Sequence, residues 1–316
     1  MTLLQIKNLN LSFNSNGIEY PALRDVNLEL EKGEILAVVG ESGCGKTITA
    51  MSVLQLLAKN AKITSGEIIF ENKDLLKLSN SEMQKIRGKE IALVPQDPMT
   101  SLNPLYTIGS QLCEVIKIHH KVNKEDAEKI AIEVLEKVKI PNAKDRMKSY
   151  PHEFSGGMRQ RVIIAMAIAC NSKIIIADEP TTALDVTVQA QIINILKEIR
   201  ENLQTSFIFI SHDFGLVHEF ADKVAVMYAG KVVESANAKD LFENPKHPYT
   251  KALLNALPDF NTTKLEPIEG NPPSIKEEII GCAFSKRCKK CIDICTKETP
   301  NTYKVENSLV NCWLYK

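Results

Sequence analysis

The stretch "EILAVVGESGCGKT", residues 34–47, decides the fold of this chain. An apolar run over residues 35–39 leads directly into the pattern G-x-x-x-x-G-K-[ST], which is typical of a phosphate-binding loop between a strand and a helix. Glycines are needed there because only a residue without Cβ tolerates the dihedral angles that turn backbone N–H groups inward around a polyphosphate. The sequence predicts such a loop, followed by a helix over residues 46–57.

The loop also carries the polar groups that a nucleotide needs. Lys46 is placed to neutralise the β and γ phosphate oxygens, and Thr47 offers a hydroxyl to Mg²⁺. The N-terminus of the following helix adds the positive end of its dipole. We therefore expect ATP to contact the whole loop: Gly40, Glu41, Ser42, Gly43, Cys44, Gly45, Lys46 and Thr47.

Cys44 lies inside this loop. A helix N-terminus and a neighbouring lysine both lower the pKa of a thiol, so we expect a reactive thiolate whose oxidation or alkylation blocks ATP binding. The alternative is a small residue that the loop tolerates.

A second buried strand ends in two acidic residues. The run "KIIIADEP", residues 173–180, is unbroken and apolar, as expected for a parallel strand covered on both faces. Ligands bind at the carboxyl ends of such strands. Asp178 is therefore a candidate ligand of hydrated Mg²⁺, and Glu179 is a candidate base for the attacking water. The alternative is an acidic helix cap.

A second candidate anion site lies in "EFSGGMRQR", residues 153–161. Ser155, Gly156 and Gly157 precede a helical run over residues 158–169, so free N–H groups and a helix dipole again face an anion. Since the chain already has one phosphate cradle, we expect this one to serve a nucleotide bound on another subunit.

These segments, followed by "TTALD" (181–185) and "FIFISHD" (207–213), resemble in their order the ATP-binding cassette (ABC) ATPases. The resemblance implies a head-to-tail dimer that sandwiches two ATP molecules. It also implies that Gln96 meets Mg²⁺ and the lytic water, that His212 contacts the γ-phosphate, and that Asp185 lies at the dimer interface. Asp185 also fits a helix N-cap, which is compatible with that role.

Within that family, "QDPMTSLNP" (96–104), "FSGGMRQRVIIAMAIAC" (154–170) and "HPYT" (247–250) are similar to the ATPase subunits of oligopeptide and dipeptide importers. The resemblance implies ATP hydrolysis that energises peptide import at the cytoplasmic face of the cell membrane. The implied partners are a second ABC ATPase subunit (a paralogue or a second copy), two transmembrane permease subunits and an extracytoplasmic peptide-binding protein. Relatives also carry nickel chelates, which is the alternative cargo.

An aromatic side chain near the N-terminus should stack on adenine, since such stacking is worth about 1–3 kcal/mol per base. Phe13 is the first candidate and Tyr20 the second. Packing in the core is the alternative for both.

Five of the eight cysteines fall within residues 282–312. In a reducing compartment such a group more often binds metal than forms disulfides. The peptide-importer resemblance implies a [4Fe–4S] cluster held by Cys282, Cys288, Cys295 and Cys312, with Cys291 left over. Four thiolates also suit Zn²⁺, which stays open as the alternative. Because the segment follows a linker-like stretch over residues 258–273, we expect ATP binding to survive its loss.

The composition excludes other classes of protein. Thirty-nine basic and thirty-nine acidic residues give zero net charge, which argues against a nucleic-acid partner. No apolar stretch approaches the roughly 20 residues that cross a bilayer, and the N-terminal residues lack the form of a secretory signal. We expect a cytosolic chain whose membrane partner is another polypeptide. A non-transport ABC ATPase acting on ribosomes or DNA is the competing function.

The predicted fold class is α/β: a P-loop ATPase core with a mixed sheet, a helical signature subdomain and a small cysteine-rich C-terminal segment. The predicted core comprises residues 1–96 and 158–257 and begins with antiparallel strands. The predicted helical subdomain comprises residues 97–157, and the C-terminal extension comprises residues 258–316.

Overall fold

The structure is a computed structural model that describes residues 1–182, 184–256 and 267–316. These residues form two compact units. The first unit comprises Met1–Glu31, Ile35–Lys77 and Ser211–Lys316, and the second comprises Lys32–Glu34 and Leu78–Ile210. The predicted domain boundaries at residues 96–97 and 157–158 stay predictions, and the predicted boundary at residue 258 lies outside the described residues.

The described residues contain both strands and helices throughout. The strands are β1 (Thr2–Ser15), β2 (Ile18–Glu31), β3 (Ile35–Val39), β4 (Ala61–Phe70), β5 (Lys73–Asp74), β6 (Ile91–Val94), β7 (Ile174–Asp178), β8 (Ser206–Ile210), β9 (Lys223–Tyr228), β10 (Lys231–Asn237), β11 (Tyr303–Val305) and β12 (Ser308–Val310). The helices are α1 (Lys46–Val53), α2 (Asn80–Ile86), α3 (Pro98–Ser101), α4 (Ile108–His120), α5 (Lys124–Lys137), α6 (Ala143–Arg146), α7 (Gly156–Ile168), α8 (Val186–Leu203), α9 (Phe214–Phe220), α10 (Ala238–Glu243) and α11 (Pro248–Asn255).

An antiparallel sheet of the first unit has the strand order β2-β1-β4-β5. Asn16 and Gly17 form the two-residue turn between β1 and β2, and both have positive φ, as a tight hairpin turn requires. The sequence predicted that the core begins with antiparallel strands, and this is confirmed.

A second sheet region of the first unit runs in the order β11-β12-β10-β9-β3 and is mixed. β3 and β9 pair parallel, whereas β9 and β10 pair antiparallel around the turn Ala229–Gly230. All five residues of β3 are buried, and this strand leads into the phosphate loop.

The second unit contains the parallel strands β6, β7 and β8, in the order β8-β7-β6. Every residue of β7 and β8 is buried, as the unbroken apolar runs predicted. The helices α3 to α6 follow β6. Of the four apolar positions at helical spacing over α5 and its C-cap, Ala127, Val134 and Val138 are buried, whereas Ile130 is half-buried. The predicted helical region between Gln96 and the signature is therefore confirmed. Among the described residues, no helix has both the length and the apolarity to cross a membrane.

Candidate functional site

The phosphate loop has a shape that glycine alone permits at two positions. Gly40 has φ 147°, and a Cβ there would lie 2.2 Å from the carbonyl oxygen of Met227. Gly45 has φ 108° as the N-cap of α1, and a Cβ there would lie 2.9 Å from Leu23. A side chain at either position would clash with neighbouring atoms and displace the loop. Glycine is therefore required there both by the positive φ and by the lack of space for a Cβ.

Lys46 begins helix α1 and folds back over the loop. Its ammonium nitrogen donates to the carbonyl oxygens of Gly40 at 2.8 Å and Glu41 at 3.1 Å, and the residue is only 6% exposed. Thr47, one position further, is exposed. The lysine thus lies inside the cradle where the sequence predicted a phosphate-binding cation, while helix α1 ends at Val53, earlier than predicted.

The prediction for Cys44 was wrong in its premise. Cys44 is buried, and burial raises the pKa of its thiol even though the Lys46 ammonium nitrogen lies 3.9 Å from its sulfur. Desolvation of the thiolate outweighs the neighbouring positive charge. A protonated, buried thiol is a poor nucleophile, so the structure does not support a reactive cysteine in the loop.

Glu41 is held by side chains that the sequence analysis did not single out. Its backbone N–H donates to the Tyr249 hydroxyl at 3.0 Å, and its carboxylate accepts two hydrogen bonds from the Arg287 guanidinium at 2.7 and 2.9 Å. These bonds raise the pKa of Arg287 above its usual range. Tyr249 belongs to the quoted "HPYT" motif, but no local signal marks Arg287, which is 246 residues away.

In the second unit, two predicted catalytic side chains meet. The Gln96 amide donates to the Glu179 carboxylate at 2.9 Å, and the Thr182 hydroxyl donates to the same oxygen at 3.0 Å. Asp178, the last residue of β7, is 2% exposed. Gln96 lies two residues beyond the end of β6. Sequence reasoning missed Thr182, whose contact arises from the turn after β7.

Glu179 has φ 47°, a left-handed conformation that a non-glycine residue adopts at a cost. Its backbone N–H is anchored by the carbonyl oxygen of Ile210 at 3.0 Å. Such strain is typical of residues whose side-chain direction matters. Here it directs the carboxylate toward Gln96.

The signature residues begin helix α7. Ser155 is its N-cap, and the hydroxyl accepts from the Met158 N–H at 3.3 Å. Gly157 is buried, and a Cβ on it would lie 2.5 Å from Val188 of helix α8. Asp185 is the N-cap of α8 and accepts from the Val188 N–H at 3.0 Å, which confirms its predicted capping.

The remaining predicted contacts lie in the first unit. His212 is exposed and precedes Asp213, the N-cap of helix α9. Phe13 and Tyr20, the two candidates for adenine stacking, are register partners on β1 and β2 and are both half-buried. Directly opposed residues of an antiparallel pair project on the same face, so both rings belong to one surface.

The "HPYT" motif lies in a buried polar cluster of the first unit. Glu234 accepts backbone hydrogen bonds from Lys246 at 2.7 Å and His247 at 2.8 Å, and His247 Nδ1 accepts from the Tyr249 N–H at 3.0 Å. Burial lowers the pKa of His247 to about 3 and raises the pKa of Glu234. The imidazole is therefore a neutral N-cap of helix α11.

The cysteine segment, defined here as residues 279–316, brings its thiols within electrostatic range of one another. Burial raises the pKa of Cys282 to about 11, and the nearby Cys295, Cys312 and Cys288 contribute to the shift. Burial also raises the pKa values of Cys288 and Cys312, whereas the Cys291 residue is exposed. Within the described parts of the chain, no three His, Cys, Asp or Glu side chains surround a point that one metal ion could occupy.

Two family models match the chain. The model described as "ABC transporter" matches residues 23–182, which include the phosphate loop, Gln96, the signature and Glu179. The model described as "Oligopeptide/dipeptide transporter, C-terminal region" matches residues 233–295, which include the "HPYT" motif and Arg287.

Similar proteins match along nearly the whole chain. The dipeptide transport ATP-binding protein DppD of Bacillus subtilis is 49% identical over 316 residues, which are 99% of this chain and 94% of that protein. The oligopeptide transport ATP-binding protein OppD of the same organism is 48% identical and covers 99% of this chain and 88% of its own length. Among solved structures, a dimeric post-hydrolysis state of the ATP-binding cassette MJ0796 bound to ADP and Pi matches with a TM-score of 0.67. That structure is 28% identical and covers 74% of this chain and 98% of its own.

Proposed function

This chain belongs to the ATP-binding subunits of the oligopeptide/dipeptide ABC transporters, and from that premise we propose which of its residues perform the work. The protein hydrolyses ATP and thereby energises the import of di- and oligopeptides through an ABC transporter. The observation that carries this function is the match over 99% of the chain to ATPases of this kind. The whole-length match leaves no support for the alternative of an ATPase acting on ribosomes or DNA.

The phosphate loop, residues 40–47, binds the polyphosphate of ATP. Its closely packed glycines give the loop the shape of a phosphate cradle, and helix α1 adds its positive end. Lys46 exchanges its two carbonyl acceptors for the β and γ oxygens when ATP enters. Phe13 stacks on the adenine, with Tyr20 beside it on the same face.

Glu179 is the general base for the attacking water. Gln96 orients the Glu179 carboxylate, and with it the water, through its hydrogen bond to that carboxylate. The Thr182 hydroxyl donates to the same carboxylate oxygen and so helps to fix the orientation of the base. Asp178 and Thr47 are the residues that hold Mg²⁺, and Gln96 joins them. The metal, when bound, stabilises negative charge on the phosphate oxygens.

A second ATPase subunit, either a copy of this chain or a paralogue, completes each site. Ser155, Gly156 and Gly157 then serve the nucleotide bound by the partner subunit, because the N-terminus of α7 presents N–H groups to an anion. Asp185 lies at the interface between the subunits, and His212 contacts the γ-phosphate. Dimeric cassettes among the similar structures support this arrangement.

The working complex contains two transmembrane permease subunits and receives its peptide from an extracytoplasmic binding protein. This chain acts at the cytoplasmic face of the membrane as a peripheral subunit. The permease and the binding protein select the cargo, and nickel chelates are the alternative to peptides.

The cysteine segment holds a [4Fe–4S] cluster through Cys282, Cys288, Cys295 and Cys312. Each thiolate of such a cluster binds its own iron, so the cluster needs four thiols near one another, and Cys282 lies within electrostatic range of the other three. Loading requires the thiols to lose their protons, which the raised pKa values of Cys282, Cys288 and Cys312 oppose in the unloaded protein. The cluster, when bound, links the cysteine segment structurally. It supplies no electrons to ATP hydrolysis.

Peptide uptake by cells that lack their own peptide-import ATPases tests the function. The chain is expressed with its permease, its binding protein and any paralogous ATPase, and uptake of a labelled dipeptide and a labelled tetrapeptide is measured. Lys46→Ala should reduce uptake to background, whereas Lys59→Ala, which removes an exposed lysine, should leave it unchanged. Uptake that persists in Lys46→Ala would contradict the proposal.

A further inference from the structure

The cysteine segment contacts the phosphate loop through Arg287. Resting on the proposed ATPase function, we propose that Arg287 is a positioning residue for ATP: by clamping Glu41 it holds the phosphate loop in its binding shape, and it links nucleotide affinity to the integrity of the cysteine segment. Both ends of this contact belong to the first unit.

The clamp is a paired, two-bond contact. One guanidinium nitrogen of Arg287 donates to Glu41 Oε2 at 2.7 Å and also to the Tyr228 hydroxyl at 3.2 Å, and the other donates to Glu41 Oε1 at 2.9 Å. Two parallel N–H···O bonds fix the orientation of a carboxylate as well as its position. Glu41 therefore has little freedom as long as Arg287 is in place.

The surroundings of Arg287 hold it in turn. Its Nε donates to the carbonyl oxygen of Glu269 at 3.0 Å, and its guanidinium lies 5.7 Å from the ring centre of Tyr228 and 6.0 Å from that of Phe284. The Arg287 side chain is 5% exposed, whereas that of Glu41 is 26% exposed. An enclosed guanidinium of this kind is pre-organised to bind one carboxylate, whereas the guanidinium of an exposed surface ion pair is not.

The charge of Glu41 explains why ATP binding should depend on the Arg287–Glu41 pair. Glu41 is an acidic residue inside a loop that receives a polyphosphate. With Arg287 present its negative charge is paired, but without Arg287 a partly buried carboxylate would stand unpaired beside the anionic ligand. Loss of the arginine should therefore weaken ATP binding more than it weakens folding.

The same residue sets the backbone of the loop. The Glu41 carbonyl oxygen accepts from the Lys46 ammonium at 3.1 Å and from the Cys44 N–H at 3.3 Å. A shift of Glu41 would therefore move the acceptors that place Lys46. This is how a side chain outside the motif can influence the phosphate-binding lysine.

The position of Arg287 depends on the cysteines that flank it. Arg287 ends a short 3-10 turn, Ser285–Arg287, between Cys282 and Cys288. The Ser285 N–H donates to Cys282 O at 2.9 Å, and the Cys288 N–H donates to Ser285 O at 3.3 Å. The sequence led us to expect that ATP binding is independent of this segment, whereas the turn joins the backbone of Cys282 and Cys288 to the residue that clamps the phosphate loop.

The test measures the dissociation constant of ATP for the full chain, purified without oxygen, by equilibrium titration. Arg287→Met should raise that constant about tenfold, in line with the loss of hydrogen bonds between charged groups. Lys286→Met is the matched control, because it removes the neighbouring positive charge, which pairs with Glu277 on the exposed surface, and should change the constant less than twofold.

A second variant separates positioning from simple structural damage. Glu41→Gln in the Arg287→Met background removes the unpaired charge but cannot restore the two-bond clamp, so it should recover part of the lost affinity, whereas general damage to the fold would leave the double variant as weak as the single one. Cys288→Ser should weaken ATP binding as Arg287→Met does, and combining the two should add little, since both act through the same contact.

Thermal unfolding of each variant identifies those that remain folded. A folded Arg287→Met protein that binds ATP within twofold of wild type would overturn the inference, and so would a double variant without recovery. A wild-type chain that binds no ATP would instead contradict the proposed function. The two failures are therefore distinguishable.

Discussion

The Gln96 amide donates a 2.9 Å hydrogen bond to the Glu179 carboxylate, although 83 residues separate the two in the chain. Gln96 follows β6 and Glu179 follows β7, which are adjacent parallel strands. Parallel neighbours end at the same edge of a sheet, so residues just beyond their carboxyl ends meet there. This geometry places the proposed base beside the residue that the family resemblance associates with the lytic water.

Glu179→Gln should abolish ATP turnover and retain ATP binding. The amide preserves the shape of the side chain and can still bond to Gln96 and Thr182, but it cannot accept the proton of water. ATP should then hold the two ATPase subunits together, which size-exclusion chromatography with light scattering would detect. Glu128→Gln, on the exposed face of α5, is the control for loss of a carboxylate, and near wild-type turnover in Glu179→Gln would place the base elsewhere.

Ser155→Arg should eliminate hydrolysis by the assembled transporter without changing the affinity of the monomer for ATP. The reason is that Ser155 serves the nucleotide on the partner subunit, whereas the phosphate loop of the same chain is untouched. Because Ser155 also caps α7, its loss costs about 1 kcal/mol of stability on its own. Ser155→Ala measures that cost separately, and weakened ATP binding by the Ser155→Arg monomer would refute the assignment.

Gly157→Ala should destabilise the protein by about 1–3 kcal/mol, because its Cβ would lie 2.5 Å from the branched, stiff side chain of Val188. Gly156→Ala is the matched control, since the nearest neighbour of its Cβ would be 3.7 Å away and alanine favours a helix. Urea unfolding of both variants decides the point. Equal stabilities would mean that α7 and α8 are not packed as described.

The wild-type protein should lose about 2 kcal/mol of stability between pH 7 and pH 5 through His247 alone. The folded state keeps the pKa of this imidazole near 3, against about 6.5 in an unfolded chain. The unfolded chain therefore binds more protons between these values, so stability falls as pH falls through about 6.5 toward 3. The raised pKa of Glu234 has the opposite effect on stability. As pH falls, the Glu234 carboxyl binds a proton at a higher pH in the folded state than in the unfolded chain.

His247→Asn isolates that contribution. Asparagine is a good N-cap and can still accept from the Tyr249 N–H, but it does not titrate. Unfolding at a series of pH values should show a shallower loss in the variant than in wild type. Parallel curves for the two proteins would mean that His247 is not the group responsible.

Anaerobically purified protein should be brown and contain about four irons and four sulfides per chain. Serine at Cys282, Cys288, Cys295 or Cys312 should remove the colour, whereas Cys291→Ser, at an exposed position, should retain it. Iron and sulfide analysis with absorption spectra provides the measurement. Stoichiometric zinc without sulfide would exclude the cluster, and a colourless Cys291→Ser protein would change the assignment of ligands.

The predictions that succeeded from sequence rest on local chemistry. Apolar runs predicted β3, β7 and β8. The prediction of a reactive thiolate at Cys44 failed. The sequence shows the helix terminus and the neighbouring lysine, which lower a thiol pKa, but it does not show that the thiol is buried. Burial depends on which distant segments cover a residue, and here that effect was the larger one.

The sequence by itself determined the phosphate loop, the signature and the acidic strand end, because each motif specifies backbone conformation and polar groups within a few consecutive residues. Only the tertiary structure decided that Gln96 bonds to Glu179 and that Arg287 clamps Glu41. Those contacts join residues 83 and 246 positions apart, so they exist only after strand order and packing have brought separate segments together. The chemistry of a motif is local, but the partners that orient it come from the fold.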